Sequence, residues 1–258
     1  LLFYQLCWFY GLNSISSALR ERDIMAKSIP QKSESWKMFN RISHRYDLLN
    51  RLLSGRRDIA WRKICVRQLP KDRPLTVVDL ATGTADVILM MLKQRQNIKT
   101  VIGIDPAKQM LDIASRKVKS TALAVQLLNG DAQHIGLRSA SVDAITMAFG
   151  IRNVADTHQA LTEMYRILAD RGQLLILEFS LPKHRWFRGL YLFYFRHVLP
   201  TIGGWISGDR EAYSYLNQTV EDFPYGEDFS RRLRSAGFNN IKEIRLTLGI
   251  ATIYHAEK

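Results

Sequence analysis

Cysteine is scarce in this chain of 258 residues, which has only Cys7 and Cys65. Neither is part of a cluster with the spacing of metal ligands. Two isolated thiols make no disulfide framework, and this usage suits a reducing compartment. We therefore expect two free thiols and no metal site.

Long apolar runs are also missing. The apolar, aromatic stretch from Leu1 to Leu12 is too short to span a bilayer as a helix. No basic segment precedes it, which argues against a signal peptide. Because Met25-Ala26-Lys27 resembles an ordinary start of translation, we interpret residues 1–24 as upstream sequence or a poorly ordered tail. The tail as a whole is placed at residues 1–32.

Acidic residues are fewer than basic residues. The chain has 37 Lys and Arg against 24 Asp and Glu, a formal net charge of +13 and a pI of about 9.9. Between Lys27 and Arg73, thirteen basic residues stand against four acids. Such an excess favours nucleic acid, an anionic membrane surface or an acidic substrate as partner, or is simply a solvated basic face.

Apolar periodicity predicts one domain over residues 33–258, with 47% hydrophobic residues to form its core. Residues 33–55 and 58–69 have helical spacing, and residues 33–70 are expected to form a helical cap. Strands are predicted at 75–80, 100–104, 124–128, 142–147 and 173–179, helices at 84–95, 107–119 and 157–168, and a hairpin at 241–247 and 250–255. This α/β pattern predicts a doubly wound, mostly parallel seven-stranded sheet with an antiparallel edge.

An aromatic segment, residues 179–228, interrupts the sheet before its last hairpin. It is predicted to be a helical insertion. Its rings are either helical core or an apolar wall for a large hydrophobic substrate above the strand ends.

The most informative stretch is Val77 to Asp86, a buried strand running into a tight turn. The turn is not Gly-x-Gly-x-x-Gly, because Ala81 and Ala85 occupy two of the small positions and only Gly83 adopts φ > 0 freely. A phosphate cradle is therefore not expected. Asp105 ends the second strand and is placed to accept both hydroxyls of a ribose. Together these features predict an adenosyl cofactor.

The turn resembles the first motif of class I S-adenosylmethionine methyltransferases, which have a Rossmann-like fold. From about Ser35 to Lys258 the chain resembles the ubiquinone/menaquinone biosynthesis C-methyltransferases. Four blocks carry this resemblance: Tyr46 to Asn50 continuing to Trp61, the turn at Asp79, Phe149 to Val154, and Arg166 to Leu168 continuing to Leu177–Ser180. Departures include Asp58 for the family's usual His, Ala85 for Gly, and Ala148 where many relatives have Ser.

The resemblance implies S-adenosylmethionine as cofactor and assigns a set of residues to its site. Thr84, Asp105, Asp131 and Ala132 would line the site, Asp79 and Gly83 would shape the turn, and Tyr46 would close over the cofactor. A carboxylate at Asp131 can accept from the adenine amino group. The alternative for Asp131 is a helix N-cap.

The implied reaction is C-methylation of the ring of a polyprenylated quinol, with naphthoquinol and benzoquinol both open. Arg152 is expected to stabilise the ring phenolate, and Asn153 to orient the ring oxygen or a water that takes the proton. His197 and Asp209 are alternative proton acceptors. The alternative for Arg152 and Asn153 is a salt bridge and a turn cap.

A polyprenyl substrate implies peripheral binding to an anionic membrane surface, and the expected location is cytoplasmic, at the inner face of the membrane. A homodimer is among the assemblies left open. An RNA or protein methyltransferase is the rival enzyme class, against which no Asn-Pro-Pro-Tyr type tetrapeptide follows the fourth strand. A methyltransferase of another small molecule is a further alternative. Nucleic acid is not an expected partner. A non-enzymatic cofactor-binding scaffold is the third alternative.

Overall fold

A computed structural model describes residues 31–95, 97–119, 121, 124–198, 201 and 210–258. Lys32–Lys258 form one compact unit. The predicted tail up to residue 30, Cys7 and Asp209 lie outside the described residues. Cys65 is a buried free thiol, as expected. Within the described ranges, no helix is long and apolar enough to cross a membrane.

The described residues form a seven-stranded sheet with helices before, between and after its strands. The strands are β1 Leu75–Leu80, β2 Ile98–Asp105, β3 Ala124–Asn129, β4 Val142–Ala148, β5 Leu168–Phe179, β6 Asn239–Leu246 and β7 Ala251–Glu257. The helices are α1 Ser35–Leu53, α2 Arg57–Arg67, α3 Asp86–Gln94, α4 Lys108–Val118, α5 Thr157–Ile167, α6 Arg185–Phe193, α7 Arg210–Asp222 and α8 Glu227–Ser235. A π-helical turn, Tyr194–Val198, continues α6, and short 3-10 turns occupy Lys32–Glu34, Ile151–Asn153 and Thr247–Gly249.

The strand order in the sheet is β3-β2-β1-β4-β5-β7-β6. Strands β1 to β5 pair in parallel, whereas β7 runs antiparallel to both β5 and β6. The predicted doubly wound sheet with an antiparallel C-terminal edge is thus confirmed. The order reverses at β1, which lies between β2 and β4. In such sheets ligands bind outside the carboxyl ends of the strands at this point.

Both faces of the sheet are buried, which explains the nearly continuous apolar strands. Successive residues of β1 point to opposite faces, so that Val77 and Val78 belong to different core clusters. One cluster includes residues of α5 and α8, and the other includes residues of α2, α3 and α4. Gly103 in β2 leaves room for its neighbours, because a Cβ there would lie 2.8 Å from Leu127 Cδ2 and 2.9 Å from Ile88 Cδ1, and these side chains would have to shift.

Several element boundaries differ from prediction by a few residues, and two of the differences have a clear structural cause. Helix α3 begins at Asp86 instead of residue 84, because Ala85 is left-handed with φ 66°. Strand β5 begins at Leu168 instead of residue 173. The register of β5 against β4 shifts between the pairs Val142–Leu168 and Ala144–Gln173. This irregularity accommodates residues 168–172, which were not predicted to belong to the strand.

Candidate active site

Two adjoining cavities lie beside the carboxyl ends of the strands. The strand-end cavity is lined by residues at or after the ends of β1, β2, β3 and β4 and by α1. The apolar cavity is lined by α1, α2, the α6 segment, α7 and the turn before β7. Phe39, Tyr46 and Phe149 line both cavities. A group transferred from one cavity to the other passes these three rings.

The turn after β1 is left-handed at three alternate residues. Ala81, Gly83 and Ala85 have φ of 50°, 54° and 66°. Only Gly83 was expected to adopt this conformation, which costs an L-residue with a Cβ roughly 1–2 kcal/mol. Gly150 packs against this turn, because a Cβ there would lie 2.5 Å from Ala81 Cβ. The close approach explains why glycine follows Phe149.

Asp79 is buried beneath the turn and supports it. Its carboxylate accepts hydrogen bonds from the hydroxyls of Thr82 and Thr146, both at 2.6 Å. Burial raises the pKa of Asp79 to about 6, against the effect of these two hydroxyls. Asp79 is thereby placed to shape the turn, the role expected of it.

Asp105 lines the strand-end cavity at the end of β2. Gly83 N–H donates to Oδ2 and Ala107 N–H donates to Oδ1, both at 2.8 Å. A carboxylate has about four acceptor positions, so these two bonds leave capacity for a diol. Burial raises the pKa of Asp105 to about 6, partly opposed by the two backbone donors.

Asp131 and Ala132 line the same cavity after β3. Asp131 is exposed, and its carboxylate accepts from Gln133 backbone N–H at 2.9 Å and from Gln133 Nε2 at 2.8 Å. It caps a turn and not a helix in this part of the chain. Ala132 is 7% exposed. The predicted contact of Asp131 with an adenine amino group is compatible with this position.

Thr84 differs from its predicted placement. Its hydroxyl points to helices α1 and α4, where it donates to Asp47 Oδ1 at 2.6 Å and accepts from Lys117 Nζ at 3.0 Å. The Thr84 hydroxyl therefore contacts Asp47 and Lys117 and not Asp105. The turn reverses direction at each left-handed residue, which sends the side chains of neighbouring residues to different sides.

Tyr46 is positioned by α1 at the boundary of the two cavities. Its ring meets that of Phe39 edge to face, with centroids 6.0 Å apart and an interplanar angle of 85°. Burial raises the pKa of Tyr46, so the phenol stays protonated at neutral pH. This placement suits the expected role of closing over the cofactor.

Arg152 lies at the apolar cavity and is 5% exposed. Its Nη1 donates to Glu178 Oε1 at 2.9 Å and to the Phe149 carbonyl at 2.6 Å. The guanidinium lies over the Phe179 ring, 5.3 Å from its centroid. Its Nε is buried without a hydrogen-bond partner among the described residues. The predicted salt-bridge alternative is present, and it holds the cation at the cavity.

Asn153 lines the strand-end cavity, although it is adjacent to Arg152 in sequence. Its Nδ2 donates to the Phe149 carbonyl at 3.4 Å, and its buried Oδ1 has no partner in the described part of the chain. Successive residues of a 3-10 turn point about 120° apart, which separates the two side chains. The structure therefore does not bring the expected Arg-Asn pair together on one cavity.

A second buried ion pair lines the apolar cavity and was not predicted. Arg62 Nη1 donates to Asp58 Oδ2 at 2.6 Å, and Ser54 Oγ donates to Asp58 Oδ1 at 2.9 Å. The Arg62 guanidinium lies over the Phe149 ring at 5.2 Å. The i, i+4 spacing of Asp58 and Arg62 on a helix was the available signal. Departure from the family's usual His at this position had weakened any role for Asp58.

The two ion pairs belong to one stack of side chains. Phe149 and Phe179 lie between the two guanidiniums, with ring centroids 4.6 Å apart.

Of the two alternative proton acceptors, Asp209 lies outside the described residues. His197 is exposed and contacts the Phe193 ring at 5.1 Å.

Solved structures with this fold include S-adenosylmethionine-dependent methyltransferases. One from Thermotoga maritima, described as a possible histamine N-methyltransferase, aligns with a TM-score of 0.61 and 21% identity over 86% of this chain and 99% of that one. The [4+2]-cyclase SpnF aligns with a TM-score of 0.63 and 14% identity over 89% and 97% of the two chains. These likenesses establish the Rossmann-like methyltransferase fold and not the reaction.

Sequence comparison defines the family. The model of the ubiE/COQ5 methyltransferase family matches residues 27–258, and the chain belongs to this family. A demethylmenaquinone methyltransferase of Thermus thermophilus is 44% identical over 86% of this chain and 100% of its own length. A ubiquinone/menaquinone biosynthesis C-methyltransferase of Geotalea uraniireducens is 42% identical over 86% of this chain and 94% of its own length. The predicted family and enzyme class are confirmed.

Proposed function

We propose that this methyltransferase transfers a methyl group from S-adenosylmethionine to a ring carbon of a polyprenylated quinol. The observation that carries the proposal is the pair of adjoining cavities, one with a free-acceptor carboxylate and one apolar with a buried arginine at its wall. The names of the Thermus and Geotalea relatives support the same reaction for the family members they describe.

The strand-end cavity has the donors and acceptors that an adenosyl group needs. Asp105 offers acceptor positions for two ribose hydroxyls, and its position at the end of β2 is where such hydroxyls are bound in this class of sheet. Asn153 Oδ1, buried and unpartnered among the described residues, offers one more acceptor. Asp131 lines the same cavity, and its carboxylate can accept from an amino group.

S-adenosylmethionine supplies an electrophilic methyl group on a sulfonium. The protein orients the acceptor ring, stabilises its reactive form and excludes water. Phe39, Tyr46 and Phe149 form the apolar boundary at which the ring would meet the donor. The Arg152 guanidinium would stabilise the negative charge of an ionised ring hydroxyl and so favour its ionisation. An ionised hydroxyl makes the neighbouring ring carbon nucleophilic.

Glu178 determines how Arg152 acts. The carboxylate is fully buried and also accepts from the backbone N–H of Arg152 at 3.3 Å. It holds the guanidinium against the Phe179 ring and limits its rotation. A planar guanidinium held in this way presents its remaining N–H groups in fixed directions, which favours a ring oxygen at one position.

Purified protein incubated with labelled S-adenosylmethionine and short-chain quinols tests the proposal. We expect the label in the ring of a demethylnaphthoquinol or a methoxybenzoquinol, identified by mass spectrometry, and which ring accepts it assigns the substrate. Binding of the cofactor without transfer to either quinol would favour the scaffold alternative. Label in RNA or protein with none in quinol would favour the rival enzyme class.

The proposed substrate also implies a membrane surface, and α6 has the side chains for one. Trp186, Leu190 and Phe193 occupy one face at i, i+4 and i+7 and are 78%, 55% and 60% exposed. Tyr191, on the opposite face, is buried at the apolar cavity. Exposed Trp, Leu and Phe side chains together with Lys and Arg are typical of helices that lie in the membrane interface.

Charge around α6 favours an anionic surface. Lys183, Arg185 and Arg188 are exposed, and the sequence has no acidic residue between Phe179 and Asp209. Each such basic residue adds about 1 kcal/mol of attraction to anionic lipid at the surface. We accordingly place the protein at the cytoplasmic face of a membrane, with α6 against the headgroups and its inner face on the apolar cavity.

Sedimentation with vesicles of phosphatidylcholine, with and without phosphatidylglycerol, tests this location. Binding should require the anionic lipid, weaken with salt, and fall about ten-fold when Trp186 and Leu190 are both changed to serine. Leu128→Ser, at another exposed leucine, is the control. If the double variant instead turns a dimer into a monomer with vesicle binding unchanged, the α6 surface is a contact between two copies of the chain.

A further inference from the structure

Five polar side chains form a cluster between α1, the turn after β1 and α4. Lys117 Nζ donates to Asp47 Oδ2 at 2.5 Å, to Thr84 Oγ1 at 3.0 Å and to Asp86 Oδ1 at 3.0 Å. Arg51 Nη2 donates to Asp86 Oδ2 at 3.0 Å, and Thr84 Oγ1 donates to Asp47 Oδ1 at 2.6 Å. We call these five residues the latch cluster.

The latch cluster contacts two walls of the strand-end cavity through sequence neighbours. Asp47 follows Tyr46, which lines the cavity from α1. Thr84 follows Gly83, whose N–H donates to Asp105. Displacement of Asp47 from Thr84 would therefore move the α1 wall relative to the carboxylate expected to bind ribose. Gln109 N–H also donates to Asn40 Oδ1 at 3.0 Å, a second link between α1 and α4.

Lys117 is the member that joins α4 to the cluster. Two carboxylates from separate elements, Asp47 on α1 and Asp86 at the start of α3, approach the same ammonium. Burial by itself would raise the pKa of Asp86, but Arg62, Lys117 and Arg51 hold it below its usual range. Arg51 also lies 3.0 Å from Asp86 Oδ2 and 4.0 Å from Asp47 Oδ1. Loss of Lys117 would leave one cation for the two carboxylates, increase their repulsion and remove the ion pairs of α4 with both.

We infer that Lys117 is a positioning residue that holds α1 in register with the cofactor turn, so that Trp36, Phe39 and Tyr46 close the strand-end cavity. The inference rests on the proposed cofactor for its binding readout. It assigns a function to the placement of the Thr84 hydroxyl, which faces α1 and not Asp105. The cluster acts through the position of α1 and makes no contact with the reacting atoms.

Calorimetry with S-adenosylmethionine and hydrogen exchange of residues 35–53 test the inference on the full chain. Lys117→Met should weaken cofactor binding about ten-fold and accelerate exchange of the α1 amides. The double variant Asp47→Asn/Lys117→Met removes the repulsion and should recover part of both losses. Lys119→Met, which removes an exposed lysine directly after the end of the same helix, is the matched control and should behave as wild type.

Two results would overturn the inference. One is cofactor affinity of Lys117→Met within two-fold of wild type together with unchanged exchange of α1. The other is an equal loss in Lys119→Met, which would indicate a general effect of charge. If the wild-type protein bound no S-adenosylmethionine, the proposed function would fail, and the exchange of α1 in the ligand-free variants would still decide on the latch cluster.

Discussion

The two cavities of the active site are built in different ways. The strand-end cavity takes its polar residues from short segments that follow parallel strands, such as Gly83 after β1, Asp105 at the end of β2 and Asp131 after β3. The apolar cavity takes its walls from helices α1, α2, α6 and α7 and from the turn before β7. One cavity follows from sheet topology, whereas the other depends on how distant helices pack.

Their charged groups differ in the same way. Among the residues that the structure describes, the donors to the Asp105 carboxylate are backbone N–H groups, and the carboxylate retains acceptor capacity for a ligand. The arginines of the apolar cavity, Arg62 and Arg152, are each paired with a buried acid and each lie over an aromatic ring. The comparison indicates that the first cavity binds by accepting hydrogen bonds and the second by shape and a held cation.

Removal of the held cation should produce the largest effect. We expect Arg152→Met to lower kcat for quinol methylation by about 10² to 10³, because a group that stabilises developing negative charge is lost. Cofactor affinity should change little, since Arg152 lines the other cavity. Steady-state kinetics and calorimetry measure the two quantities.

Loss of Arg152 also leaves Glu178 buried without its partner, which costs about 3–5 kcal/mol of stability. The double variant Arg152→Met/Glu178→Gln removes this penalty and serves as the control. A cofactor affinity that falls in parallel with kcat in the folded double variant would contradict the separation of the two cavities.

Asp105→Asn should weaken cofactor binding and leave quinol binding little changed, and its effect should be smaller than that of Arg152→Met. The amide lacks the charge that strengthens hydrogen bonds from two hydroxyls, so cofactor affinity should fall about ten- to hundred-fold. The quinol KM, measured at saturating cofactor, should stay near the wild-type value. A variant in which the quinol KM rises and cofactor affinity is retained would exchange the roles assigned to the two cavities.

The pH dependence of cofactor binding should report Asp105. Burial raises the pKa of Asp105 to about 6. The ribose hydroxyls of the proposed cofactor would donate to the ionised carboxylate. Affinity should therefore be constant above about pH 7 and fall through pH 6, reaching roughly a ten-fold loss at pH 5.

Asp105→Asn should flatten this profile in calorimetric titrations across the range. Dependence that persists in the variant would instead point to Asp79, whose pKa is also about 6. Affinity that increases as pH falls would have the wrong sign for a carboxylate that binds in its ionised form.

The smallest effect should come from the turn itself. Ala85→Gly relieves a left-handed alanine but increases the freedom of the unfolded chain, so the free energy of unfolding should stay within about 1 kcal/mol of wild type. Ala60→Gly, at an exposed helical position, should lower it by about 1 kcal/mol. Denaturant unfolding compares the two, and a larger loss for Ala85→Gly would show that Cβ contacts outweigh the strain.

The fold was largely predictable because burial on both faces of a parallel sheet leaves apolar strands of recognisable length. The positions of Asp105 and Gly83 were predictable for the same reason, because Asp105 ends such a strand and Gly83 lies in the turn that follows one. Placement of Thr84 and Asn153 was not predictable in this way. It depends on left-handed and 3-10 turns that rotate neighbouring side chains to different cavities.

By itself, the sequence determined the order of strands and helices along the chain, the turn after β1 and the acid at the end of β2, because these arise from local periodicity and from residues next to strand ends. Tertiary structure alone decided that Arg152 and Asn153 serve different cavities, that Asp58 pairs with Arg62, and that Lys117 joins α1 to the turn. Such contacts require side chains from elements far apart in sequence to meet in a low-dielectric interior, where burial and packing select the partners.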